Sequence, residues 1–172
     1  MPTGWFKSAL DGDTFWTNVK CLFADRRSIL DPDSRQIGSY KLITVAGDRS
    51  SLWDLVVEGR PVKFPARYVN NTDFPFSLDI TSDESTVAVI HSGTTSYSDY
   101  SLEFNGKTYL WKDVSKVRKV MQLELDTQVY ARAHSEGLLV NRTIIEVKRD
   151  LPLDIICLLF CMFGGMVRHR TA

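Results

Sequence analysis

Neither sign of charge is in excess: 21 Lys and Arg stand against 21 Asp and Glu. No global field therefore draws the chain toward nucleic acid or acidic substrates, and an electrostatic partner must be held by a local patch. Cysteine is scarce too. The three present, Cys21, Cys157 and Cys161, are an odd number and cannot all pair. Cys157 and Cys161 stand four apart in an apolar run, on one face of a helix, where a disulfide is geometrically poor. Such usage points to a reducing compartment, not a secreted scaffold. No basic stretch followed by an apolar core opens the chain, so no secretory leader is expected and the protein reads as intracellular and cytoplasmic. Without secretion, the glycosylation patterns at Asn70-Asn71-Thr72 and Asn141-Arg142-Thr143 carry little weight. Met1-Pro2 and the closing Arg170-Thr171-Ala172 speak against myristoylation and prenylation.

Catalytic signatures are missing as well. There is no Gly-x-Ser-x-Gly, no Gly-rich phosphate loop and no His-Glu-x-x-His. His91, His134 and His169 are scattered. In His134-Ser135-Glu136, adjacent residues on a strand or turn are expected to point apart and not to form a relay. The paired acids Asp83-Glu84 and Asp11/Asp13 fall in turns, where solvation explains them. Cys157 and Cys161 offer too few ligands for zinc even with His169, and read as buried thiols acting as small hydrophobes. Palmitoylation is the functional alternative for them. The expectation is a protein that acts by binding, with no metal and no cofactor.

Long hydrophobic runs are limited to one, and it is the most informative stretch present. After Leu151-Pro152-Leu153-Asp154 come thirteen uncharged residues, 155–167, closed by Arg168-His169-Arg170. As a helix they rise about 20 Å, short of the roughly 30 Å of bilayer hydrocarbon. Apolar on all sides, such a helix belongs inside a core. Ile155, Ile156, Leu158, Leu159, Phe160, Met162 and Phe163 are the predicted core-helix residues. Pro152 suits the first turn, and Asp154 suits the positive end of the helix dipole.

Upstream, the period is two. Phe76, Leu78 and Ile80 alternate with polar residues, and 86–91 is β-branched and reads as buried on both faces. Tyr100, Leu102 and Phe104 lead into Asn105-Gly106, a strong hairpin signal, with 107–112 as the return strand. Met121, Leu123 and Leu125 alternate next, Asp126-Thr127 turns, and 139–147 is the last strand. Earlier, 39–45 reads as a strand, 51–57 fits helix and strand equally, and 14–23 reads as a strand or a short helix. Asp31-Pro32-Asp33-Ser34 and Glu58-Gly59-Arg60-Pro61 are turns. Consecutive hairpins make an antiparallel meander, which must close or stack to manage its edges. The predicted fold is mainly β: a closed antiparallel barrel around a buried hydrophobic C-terminal α-helix. Residues 1–172 form one domain in this reading, with strands over roughly 14–149 and the helix over roughly 152–167, a monomer by default.

Tyr109-Leu110-Trp111-Lys112, Val129-Tyr130-Ala131, Ile144-Ile145-Glu146-Val147 and Leu153-Asp154-Ile155-Ile156 together resemble the tubby C-terminal-like superfamily. They are most similar to its small fungal branch of uncharacterised tubby-like domain proteins. LURP-one-related proteins and phospholipid scramblases are more distant relatives. The likeness covers residues 70–170, and the first seventy by strand order. It implies a closed antiparallel barrel threaded by a hydrophobic C-terminal helix. Founding tubby proteins bind phosphoinositides through basic residues on the barrel; that motif does not map onto positions of this chain, so the binding is not carried over.

Lys112, Lys116, Arg118 and Lys119 form the one dense basic cluster, in a stretch predicted to connect two hairpins. Cations at a membrane surface contribute on the order of 1 kcal/mol each toward anionic lipid, and Arg168 and Arg170 add to them if the helix emerges on the same side. The bland reading is a solvated loop and a positively capped helix end. Aromatics at Trp5-Phe6 and Asp73-Phe74-Pro75-Phe76 mark a partner site if exposed. The leading expectation is a lipid- or protein-binding module at the membrane periphery, recognising anionic lipid such as a phosphoinositide or an unidentified protein. The alternative is a tail-anchored or scramblase-like protein whose last helix inserts, with Asp154 costing roughly 2.5–3.5 kcal/mol near the bilayer centre. A small hydrolase is the third.

Overall fold

Strands that bury alternate residues expose one face and hide the other, and this chain repeats that pattern around a ring. The computed structural model describes residues 8–9, 12–18, 26–44, 51–63, 77–92, 100–115, 117–136 and 142–170. Twelve strands form one antiparallel closed barrel: β2 (Thr14–Asn18), β3 (Arg26–Leu30), β4 (Gln36–Thr44), β5 (Ser51–Val57), β6 (Arg60–Lys63), β7 (Ser77–Ser82), β8 (Ser85–Ser92), β9 (Tyr100–Phe104), β10 (Lys107–Asp113), β11 (Val120–Leu125), β12 (Gln128–Glu136) and β13 (Arg142–Val147). Each pairs with its neighbours in the chain. β13 closes the ring on β2 through Ile144 opposite Trp16, Ile145 opposite Phe15 and Glu146 opposite Thr14. Two short strands stand apart, β1 (Ser8–Ala9) and β14 (Leu151–Pro152), paired with each other ahead of α1 (Leu153–Arg170).

The tight turns follow from residues that accept a left-handed backbone. Asn105 and Gly106 both have positive φ (51° and 69°), as a two-residue turn matched to strand twist requires. Asp126 and Thr127 (49° and 67°), and Asp83 and Glu84 (46° and 63°), do the same without glycine.

The interior is filled. Ile29, Leu55, Ile80, Leu102, Trp111, Leu123, Ala131, Ala133 and Ile145 are buried along the strands. In α1 all nine residues 155–163 are buried, including every predicted core-helix residue. Nine consecutive residues span more than two turns and point in every direction. A helix hidden on all sides at once must be enclosed, so the apolar run lies within the barrel. It passes close to β4, where Gly38 leaves room: a Cβ there would stand 2.8 Å from the Val56 carbonyl oxygen and 3.3 Å from Cys157 Sγ. Tyr40, two residues on, stacks on Phe160 with ring centroids 6.5 Å apart.

Stretch 51–57, which fits helix and strand equally in sequence, is a strand, held against β4 from Gly38 opposite Val57 to Thr44 opposite Ser51. Other local expectations need correction. β8 is buried on one face only: Ala88 and Ile90 are inside, while Val87, Val89 and His91 are partly exposed and Thr86 is exposed. A barrel filled on its inner side gives outward β-branched residues nothing to pack against but each other. Pro152 precedes the helix and pairs with Ser8, instead of opening the first turn. Residues 139–141, 45–50 and 64–76 lie outside the described residues.

Candidate functional site

The two ends of the barrel are built differently. At one end the links are two residues long (58–59, 83–84, 105–106 and 126–127), with one of five at 31–35. At the other end the chain leaves Asn18, Thr44, Lys63, Ser92, Asp113 and Glu136 and returns after separations of five to thirteen residues. The connection between β10 and β11, residues 114–119, belongs to this second end, and all of it but Lys116 is described. The helix points the same way. It begins after the short-link end, passes Gly38 at Cys157 and Tyr40 at Phe160, and so runs in the direction of β4.

Local hydrogen bonds shape this connection. The Ser115 N–H donates to Asp113 Oδ1 (3.1 Å), and the Arg118 N–H donates to Ser115 Oγ (3.2 Å). The Val114 N–H donates to the Val120 carbonyl (2.9 Å), closing the base. These side-chain acceptors replace ladder bonds that a turning backbone loses. Lys119 then ties the connection to the helix: its Nζ donates to the Phe163 carbonyl (2.9 Å) and lies 4.6 Å from the Phe163 ring centroid.

The four clustered cations therefore have different fates. Lys112 makes an ion pair with Glu124 at 2.7 Å. Lys119 is turned onto the helix. Arg118 is exposed on the connection. Lys116 lies outside the described residues. Arg168 and Arg170 belong to the last turns of α1, about 8 Å or more along the axis beyond Phe163, and their side chains lie outside the described residues. The Lys119–Phe163 contact brings the basic connection against the helix seven residues or fewer before Arg168 and Arg170.

The sequence did not single out the two valines here. Val117 is 93% exposed and Val114 42%, and with Leu110 on β10 they are the exposed large apolar residues among those described. The available signal was an apolar residue inside a polar connection.

Elsewhere, register creates polar groupings invisible in the linear order. Ser77 Oγ and His91 Nδ1 are 2.7 Å apart, and His91 Nε2 is 3.4 Å from Glu103 Oε2. This serine–histidine–carboxylate row runs across β7, β8 and β9 on the outer barrel wall. His134 and Glu136, two apart on β12, share a face, with Nε2 3.5 Å from Oε1, so only Ser135 between them points apart as expected.

Cys157 and Cys161 are free and fully buried, and burial pushes both thiols well above their usual range. Burial likewise pushes the Tyr40 phenol up to about 12, with Arg27 beside it pulling the other way. Cys21, Trp5-Phe6 and 73–76 lie outside the described residues. Among the described residues no helix is long and apolar enough to cross a membrane. No family model, curated protein or solved structure matches the chain.

Proposed function

We propose that the protein is a tubby-like, non-catalytic binding module that docks on an anionic membrane surface inside the cell. The observation that carries this reading is exposed Arg118 on a connection that Lys119 ties to α1 at Phe163, the helix going on to Arg168 and Arg170. On a chain with no net charge, an exposed cation beside a basic helix end acts as a local patch, and anionic headgroups, phosphoinositides foremost, suit it. The residues that carry the tubby resemblance fall on β10, β12, β13 and the start of α1. Enclosure of 155–163 weighs against the helix acting as a membrane anchor.

Flotation with vesicles of phosphatidylcholine alone, with phosphatidylserine, and with phosphatidylinositol bisphosphate tests this. Flotation is expected on the two anionic compositions, weakening as salt rises. The Arg118→Glu variant is expected to float several-fold less. Failure of the unaltered protein to float on any composition at low salt would overturn the reading and leave a protein partner as its replacement.

A further inference from the structure

We propose that the connection between β10 and β11 is an insertion tip: Val117, with Val114 beside it, enters the interfacial layer of an anionic bilayer while Arg118 meets the lipid phosphates. This rests on the membrane-docking reading above and adds how the contact is made.

A valine held 93% exposed is an unusual choice for a connection that, Val114 apart, is otherwise made of charged and hydroxyl residues. The tip does not fold back to hide it. Asp113 and Ser115 take up the backbone N–H groups of Ser115 and Arg118, and the Val114–Val120 bond closes the base. Lys119 fastens the connection to the enclosed helix through the Phe163 carbonyl and ring. A tip braced in this way loses little conformational freedom on binding, so apolar contact at Val117 goes into affinity. Size decides the occupant. Two valines make a patch far smaller than the roughly 800 Å² that each side of a stable protein complex contributes. Shallow insertion needs only such a patch, provided that cations beside it hold the surface. Arg118 lies next to Val117 in the chain, and both are exposed.

The test compares Val117→Ser, Val117→Leu and Arg118→Glu by flotation on phosphatidylcholine vesicles containing phosphatidylserine, with thermal melts as the folding control. Val117→Ser is expected to bind about five- to tenfold more weakly and Val117→Leu about two- to fourfold more tightly, at unchanged melting temperature. A Val117→Trp variant, read against the unaltered protein with its native tryptophans, is expected to gain fluorescence quenching from lipids brominated high on the acyl chain. If both Val117 substitutions bind as the unaltered protein does while Arg118→Glu releases it, the contact is electrostatic alone: insertion is overturned and membrane docking stands. If the unaltered protein does not float at all, both fall together.

Discussion

Asp154 shows how one side chain answers to two opposed fields. It sits in the first turn of α1, where the helix dipole and the Ile155 N–H favour a negative charge. Burial acts more strongly, with Oδ1 shielded from water and no hydrogen-bond partner, and raises its pKa above the ordinary carboxylate value. The folded protein thus holds this proton more tightly than the unfolded chain. The stability from that preference is complete below the unfolded carboxylate pKa and is lost as pH rises through the raised value. Asp154→Asn is accordingly expected to raise the melting temperature at pH 7 by a few degrees, or about 1 kcal/mol, with the gain shrinking toward pH 4. Melts across that range check it; a gain that grows as pH falls would reverse the assignment. The dipole half of this balance was legible in the sequence. The burial half was not, because it depends on how the folded chain packs around the helix start.

Elements were legible where local chemistry and tertiary demand agree. Asn105-Gly106 announces its turn because the backbone there needs positive φ, and α1 announces its enclosure because it has no polar side. β3 went unread: Arg26-Arg27-Ser28-Ile29-Leu30 has one buried residue and no apolar alternation. The basic connection was visible as a run of cations, yet the division of labour within it was not. Lys112 meets Glu124 only through the β10–β11 register, and Lys119 meets Phe163 across 44 residues of chain. Gly38 is a further case, since nothing beside it in the sequence shows that Val56 and Cys157 crowd the space of its missing side chain. Gly38→Ala is expected to destabilise the protein by about 1–3 kcal/mol, read as a lower urea midpoint at unchanged slope. Adding Cys157→Ala should recover only part of the loss, because the closer contact is the Val56 carbonyl and stays.

For the whole molecule, the barrel and its helix are one core. The large apolar side chains among residues 155–163 bury roughly 1.5–3 kcal/mol each. Together they match or exceed the roughly 5–15 kcal/mol by which a domain of this kind is stable. Removing residues 153–172 should therefore abolish cooperative unfolding in urea and the near-ultraviolet circular dichroism of the packed aromatics. A truncated chain that still unfolds in one transition, at the original midpoint, would sink the claim that the helix fills the ring.

The strand order also has a consequence in time. Every ladder of the ring joins strands consecutive in the chain except the seam between β13 and β2. The helix follows all of them, yet it ends up in the middle. A closed and filled ring offers no gap for a helix to pass through later. During synthesis the meander must therefore wait as a curled, open sheet, with β2 along one unpaired margin, until the segment after β13 has left the ribosome. That waiting sheet, with its apolar lining bare and a free edge, is the stage at which the chain is most exposed to aggregation.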